Sequence, residues 1–322
     1  CIEVRDTFVD EQLPNGAWTE AFRDQPTASL SMDETEHIMA TYRQPLSDIG
    51  SVVGILAVAC KYVPQDKKEA YLKAICDFCD NWAPRFILPS GAFGDGIGLD
   101  DGVYTCATAI EASVFSLAWH LTGNTRYMEI AEKAIIYLLE YWREDGLMTM
   151  TAPYFTSRSC GTEKPFLQMN PLNFGDMWYY DEGFITAWYH SNNDAFRSKV
   201  NKALEWRVFG EDGLINALNG KVWWPMRNIW NNAKSLGMVQ TLLHMKVHGK
   251  STPALEEALD NMKRFLCTYE YSRRLGVMPD DMERPASVYS LQTWSGMCME
   301  ATGFAGMTLA EIIKPGILYM KA

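Results

Sequence analysis

The chain has 322 residues, of which 48% are hydrophobic and 12% aromatic, and its formal net charge is −11. This size and apolar content predict a globular protein with a large core. The negative charge argues against a nucleic-acid-binding protein, and no uncharged apolar stretch reaches the roughly 18 residues of a membrane-spanning helix.

Cysteine is the first residue of the chain, as it is in a bacterial lipoprotein after signal cleavage. Cys1 therefore predicts a lipid anchor and a location outside the cytoplasm, in the periplasm or at the cell surface. A buried thiol in a cytoplasmic protein is the alternative. Of the eight cysteines, Cys76 and Cys79 are close in sequence, but no second Cys or His pair completes a zinc site. We expect reduced thiols that pack in the core, and no metal.

Four consecutive segments of the chain share one plan. Each has an apolar helix, a short polar turn, an amphipathic helix, and a glycine followed by apolar residues. The apolar helices are predicted in 47–64, 100–124, 179–193 and 228–250. The closing glycines are about 55 to 70 residues apart, a period typical of a helical repeat: Gly91, Gly146, Gly213 and Gly276. With partial units around Gly16 and from Ser290 onward, the count is about five or six helix pairs.

The two helices of each pair differ in their apolar pattern. The first is apolar nearly all round, which predicts burial, and the second has one apolar stripe, which predicts one solvent-exposed side. Strand signals are few. The pattern predicts a single all-α domain over residues 1–322, an (α/α)5–6 toroid with buried inner helices and amphipathic outer helices. An open superhelical solenoid is the alternative.

Acidic pairs stand at the start of two predicted inner helices: Asp100 with Asp101, and Asp181 with Glu182. In a toroid the inner helices are parallel, so both pairs should face one cavity. An acid at a helix N-terminus can also be a simple cap, and capping alone is the alternative. Because one acid suffices for a cap, the pairs predict a catalytic acid/base site. Asp101 and Asp181 are the leading residues, and Asp100 and Glu182 are the neighbours most easily confused with them.

Aromatic and arginine residues surround these pairs in the linkers. Aromatic faces stack on sugar rings, and arginine pairs with a carboxylate through two hydrogen bonds. The stretch 149–178 is too long for a simple connector and predicts a lid. His244 and His248 lack the glutamate of a metalloprotease motif, so we expect surface or capping roles for them. The predicted substrate contacts are Trp178, Tyr180, Trp223, Trp224, Arg227 and Trp230, with Tyr154 and Arg158 from the lid.

Two of these motifs resemble those of a known family. "LDDGVYTCATAIEASVFSLAWHLTGN" and "YYDEGFITAWYH" are similar to motifs of the six-hairpin unsaturated glucuronyl and rhamnogalacturonyl hydrolases, over about residues 95–215. The resemblance implies an acid/base aspartate at Asp101, a second carboxylate at Asp181, and no metal or organic cofactor. Such enzymes hydrate the vinyl ether of an unsaturated uronic acid. Tyr180 stands where the family has histidine, and "TMTAPY" lacks the family's histidine and tryptophan.

We therefore expect an enzyme of polysaccharide degradation that acts on an oligosaccharide. One alternative is a polysaccharide lyase with Tyr180 or Tyr154 as its base, which would create unsaturated ends. A second is a toroidal terpene cyclase that protonates an alkene through an aspartate. A third is a glycan-binding lipoprotein that has lost catalysis. The Asp101→Asn substitution distinguishes the third case, because binding would survive and there would be no turnover to lose.

Overall fold

A computed structural model describes residues 2–18, 31–41, 46–94, 105–140, 142–146, 177–220, 235–268 and 299–315. These ranges are mostly helical and contain no strand, and an isolated antiparallel bridge joins Ile87 to Phe93. The all-α prediction is thereby confirmed. The helices are α1 (Ile2–Asp10), α2 (Met32–Thr41), α3 (Leu46–Ala59), α4 (Gln65–Asp77), α5 (Thr105–Thr122), α6 (Thr125–Leu139), α7 (Met177–His190), α8 (Asp194–Phe209), α9 (Leu214–Leu218), α10 (Ser235–His248), α11 (Pro253–Thr268) and α12 (Met299–Ile313).

The chain divides into two compact units. The described part of the first unit comprises α1 to α6 and residues 190–192. The described part of the second comprises residues 142–146, α7 up to Tyr189, and α8 to α12. In neither described part is a helix long and apolar enough to cross a membrane.

Burial follows the difference predicted between the two helices of a pair. Every residue of α5 from Ala107 to Ala118 is buried, as is every residue of α10 from Leu236 to Met245. Their partners α6 and α11 alternate buried and exposed positions in the way of an amphipathic helix. Helix α3 departs from this pattern, because Ile55 on it is 44% exposed.

The closing turns pack in the same way in successive pairs. Three of the turn glycines have a positive φ, a backbone conformation that side chains rarely adopt. A side chain on each would also meet the amphipathic helix of the next pair, so each turn docks on its successor. These contacts are Gly16 with Asp77 at the end of α4, Gly91 with Lys133 in α6, and Gly146 with Trp206 in α8.

The third predicted closing glycine differs from these. Gly213 has a φ of −80°, which any residue adopts, and it directly precedes the short helix α9. Its crowding comes from the backbone of Arg207 and Gly210 at the end of α8. Gly276 lies outside the described residues. The repeat predicted from the sequence therefore recurs structurally at the first three turns.

Candidate functional site

The acidic pair Asp181–Glu182 lies in the second turn of helix α7, whereas the sequence predicted it at the very start of the helix. Because α7 begins at Met177, these are its fifth and sixth residues, and its first turn contains no acid. Only the first four N–H groups of an α-helix lack an intrahelical partner. A carboxylate at the fifth position has no free N–H of its own turn to accept from, so capping does not explain this pair.

Two of the predicted substrate contacts lie on the same helix. Trp178 and Tyr180 are in the first turn of α7. Positions 178, 181 and 182 are spaced i, i+3 and i+4, so their backbones follow one face of the helix. The backbone of α7 therefore places positions 178, 181 and 182 along one face at one end of the helix.

The remaining predicted site residues fall outside the described part of the chain. Helix α5 begins at Thr105, four residues beyond Asp101. The predicted lid is described only at Met177 and Trp178, where α7 begins. The predicted residues outside the described ranges are Asp100, Asp101, Tyr154, Arg158, Trp223, Trp224, Arg227, Trp230 and Cys1.

A buried carboxyl in α5 is a feature that the sequence reasoning missed. Glu111 is 0% exposed, and neither of its oxygens has a hydrogen-bond partner among the residues that the structure describes. Gly50 of α3 leaves the space that the carboxyl group occupies. A Cβ at Gly50 would lie 2.8 Å from Ile110 Cγ2 and closer still to Glu111 Oε1. Burial raises the pKa of Glu111 well above its usual value, so the folded protein favours the neutral acid.

The sequence does carry a signal for Glu111. It is the one Asp, Glu, Lys or Arg between Asp101 and Arg126. Glu111 was not predicted as a site residue because it is a single acid in the middle of an apolar helix and does not belong to an acidic pair at a helix end. A buried glutamate in an apolar helix is uncommon in proteins.

The predicted core role of the close cysteine pair is confirmed for Cys79. Cys79 lies in a π-helical turn (Phe78–Trp82) and is buried, whereas Cys76 in α4 is half-buried. Burial raises the pKa of both thiols, so both favour the unreactive protonated form. Among the described residues no three His, Cys, Asp or Glu side chains are arranged to hold a metal ion.

Rings and charged groups gather around Trp188 near the end of α7, in the second unit. We call Trp188, Tyr189, Arg197, His244 and His248 the Trp188 cluster. The Arg197 Cζ atom lies 4.2 Å from the Trp188 ring centroid, a cation–π contact. The rings of His244 and His248 lie 4.6 Å and 4.7 Å from the Trp188 ring. Helices α7, α8 and α10 all contribute to this cluster.

The predicted surface or capping role is wrong for His244, which is 0% exposed. The reason is that the buried part of α10 extends to Met245, so position 244 still lies in the core. Its Nε2 atom is 2.8 Å from Asn201 Oδ1, while Nδ1 has no partner. Burial, followed by the charges of His248 and Arg197, lowers the pKa of His244 to about 3. One turn later, His248 is exposed, as predicted.

The outer edge of the cluster holds a tyrosine–histidine pair. The Tyr189 hydroxyl lies 2.9 Å from His248 Nε2. Burial and then Arg197 lower the pKa of His248, which favours a neutral ring able to accept a hydrogen bond. Burial and then the charge of Glu311 raise the pKa of Tyr189. The tyrosine hydroxyl therefore keeps its proton and forms a hydrogen bond with Nε2, in a direction set by the imidazole tautomer.

Two places in the described chain thus combine aromatic and titratable groups: the first two turns of α7 and the Trp188 cluster. The first has the residue types of an acid/base glycan site. The second has a tyrosine, an imidazole and a guanidinium, which can move a proton and hold an anion. Neither a protein-family model nor a curated protein matches this sequence.

Proposed function

We propose that the protein is a carbohydrate-active enzyme that cleaves a glycan fragment by carboxylate acid/base chemistry. Asp101 and Asp181 are its proposed acid/base pair. The observation that carries this proposal is the position of Asp181 and Glu182 in the second turn of α7, where capping does not account for them. Trp178 on the same helix face supplies the aromatic surface that sugar rings favour.

The proposed architecture is an α/α toroid that brings Asp101 and Asp181 to one cavity. Its support is the repeated docking of each closing turn on the next amphipathic helix. The near-complete burial of α5 and α10 also fits inner helices of such a ring. Both acidic pairs lie beside the N-terminal end of a helix of this kind, α5 or α7, and in a toroid those ends share one mouth.

The proposed reaction is the hydration of an unsaturated uronyl residue. One carboxyl, in its acid form, donates a proton to a carbon of the double bond. The other, as carboxylate, takes a proton from the water that adds to the ring-oxygen-bearing carbon. The resulting hemiketal opens and releases the rest of the sugar chain. Two carboxyls in one partly dry site acquire different pKa values, which gives one acid and one base.

The test follows the ultraviolet absorbance of the unsaturated bond in lyase-generated oligosaccharides. We expect the wild-type protein to lower the absorbance. Asp101→Asn and Asp181→Asn should each reduce the rate by about 10²- to 10⁴-fold, as removal of a general acid or base does.

Neighbouring and distant acids serve as controls. Asp100→Asn and Glu182→Gln test whether the roles belong to the adjacent residue of each pair. Glu257→Gln removes an exposed carboxyl of α11 and should leave the rate unchanged. A protein without activity on any of these oligosaccharides, or with full activity in both aspartate variants, contradicts the proposal.

A polysaccharide lyase is the second candidate, because the Trp188 cluster contains a tyrosine–histidine pair beside Arg197. In an elimination, a base removes the proton next to the uronate carboxyl, a double bond forms, and the leaving oxygen takes up a proton. Neutral His248 would serve as the base, and protonated Tyr189 as the acid. The same assay separates the two functions, since a lyase raises the absorbance on intact polymers. Tyr189→Phe should then abolish the rise.

A further inference from the structure

We infer that His244 makes the packing of α10 on α7 and α8 sensitive to acid. While neutral it holds α10 against α7 and α8, and on protonation it releases α10 from them. This inference concerns the second unit alone and does not depend on the proposed enzymatic function.

The contacts of His244 are those of a neutral imidazole. Asn201 Oδ1 of α8 accepts from Nε2, and the ring meets the Trp188 ring at an interplanar angle of 89°. The remaining nitrogen, Nδ1, is buried without a partner. A proton added at Nδ1 would therefore leave a buried N–H donor without an acceptor, which is costly in a dry interior.

The charged and titratable groups around His244 also oppose a second positive charge. Arg197 from α8 lies over the Trp188 ring, and the His248 ring on α10 lies 5.1 Å from the His244 ring. Both disfavour the imidazolium form of His244. Tyr189 of α7 keeps its proton, and Glu311 of α12 acts on Tyr189. Within the described ranges no carboxylate accepts a hydrogen bond from His244.

Opening α10 removes this obstacle, because an exposed imidazole takes up a proton at its ordinary pKa of 6.5. Below that pH the open form binds a proton that the closed form does not. Each further pH unit then favours the open form by up to tenfold, until the closed form is itself protonated near pH 3. Acid therefore shifts the equilibrium toward release of α10.

The experiment measures hydrogen–deuterium exchange of the peptide Ser235–His248 in the full chain between pH 7 and pH 4.5, corrected for the intrinsic exchange rate. We expect wild-type protection of this helix to fall as the pH drops below about 6. In His244→Gln, whose amide still donates to Asn201 but does not titrate, protection should not change with pH. His248→Gln removes the exposed imidazole of the same helix and should keep most of the wild-type dependence.

A second variant covers the case in which His244→Gln does not fold. Asn201→Asp places a carboxylate against Nε2 and favours the imidazolium in the closed form. It should therefore reduce the loss of protection in acid, because the closed form then also takes up the proton. An unchanged pH dependence in His244→Gln overturns the inference, as does loss of the dependence in His248→Gln alone. With Asn201→Asp as the variant, an unchanged or larger loss of protection in acid does the same.

Discussion

Both units bury titratable side chains in their helices, and one such side chain from each unit makes a contrast in chemical character. In the first unit it is an acid, Glu111 in α5, and in the second a base, His244 in α10. Burial is the largest cause of both pKa shifts and favours the neutral form in each. The same physical cause therefore raises the pKa of one group and lowers that of the other.

The difference sets opposite pH responses for the two units. The pKa of Glu111 is raised, so its unfavourable effect begins above 4.5, where the unfolded carboxyl ionises and the folded one does not. The pKa of His244 is lowered, so its unfavourable effect begins below 6.5, where the unfolded imidazole takes up a proton. Alkali should weaken the first unit and acid the second.

Replacing Glu111 should produce the largest change. Above pH 4.5 the wild-type free energy of unfolding should fall, relative to that of Glu111→Gln, by up to about 1.4 kcal/mol per pH unit. The reason is that glutamine keeps the size of the side chain but has no proton to lose. Urea unfolding between pH 4.5 and pH 8 measures the difference.

Glu129→Gln is the matched control for that experiment. It removes an exposed glutamate from α6 of the same unit and should leave the wild-type pH dependence intact. If Glu111→Gln follows the wild-type curve at every pH, Glu111 does not carry the proposed linkage. The contrast between the two units then disappears.

Two glycines of α3, the helix that contacts Glu111, test the packing around its carboxyl group. Gly50 faces the Glu111 carboxyl and Ile110, whereas a Cβ at Gly54 would meet nothing within 4 Å. Gly50→Ala should destabilise the protein by about 1–3 kcal/mol through overpacking. Gly54→Ala should stabilise it by about 0.5–1 kcal/mol, since alanine is the better helix former. Thermal unfolding of both variants gives the signs, and two changes of the same sign would refute the packing around Glu111.

The helix pairs and their burial were predictable because they depend on local periodicity. The apolar run of α5 and the stripe of α6 each follow from the chemistry of one segment. The start of α7 was predicted at 179, two residues late, because the aromatic residues before Asp181 read equally well as a linker or as a first turn. A boundary of this kind is set by contacts that a single segment does not show.

Glu111 and His244 show a different limit of prediction from the sequence. His244 and His248 are one turn apart in similar sequence surroundings, yet one is buried and the other exposed. What separates them is the packing of α7 and α8 on α10, through Trp188 and Asn201, which lie more than 40 residues earlier in the chain. For Glu111 the deciding neighbour is Gly50, on another helix. Such contacts between distant segments have no local signature.

Arg197 tests whether a neighbouring charge contributes to the pKa shift. Its charge helps to lower the pKa of His244, whereas burial is the cause of the raised pKa of Glu111. Arg197→Met removes the cation–π contact with Trp188 and should cost about 0.5–1 kcal/mol at pH 7. Without this positive charge, the pKa of His244 should rise toward its usual value. The loss of stability in acid should then be smaller than in the wild type, as urea unfolding at pH 7 and pH 5 can show.

Lys202→Met is the control for the cation–π contact itself. The Lys202 ammonium lies 4.9 Å from the Trp206 ring centroid on the same helix, α8, and Lys202 is not among the groups that shift the pKa of His244. It should cause a comparable loss at pH 7 and leave the acid dependence unchanged. If both variants reduce the acid dependence equally, the charge of Arg197 does not act on His244 in particular. Burial alone would then govern the second unit as it does the first.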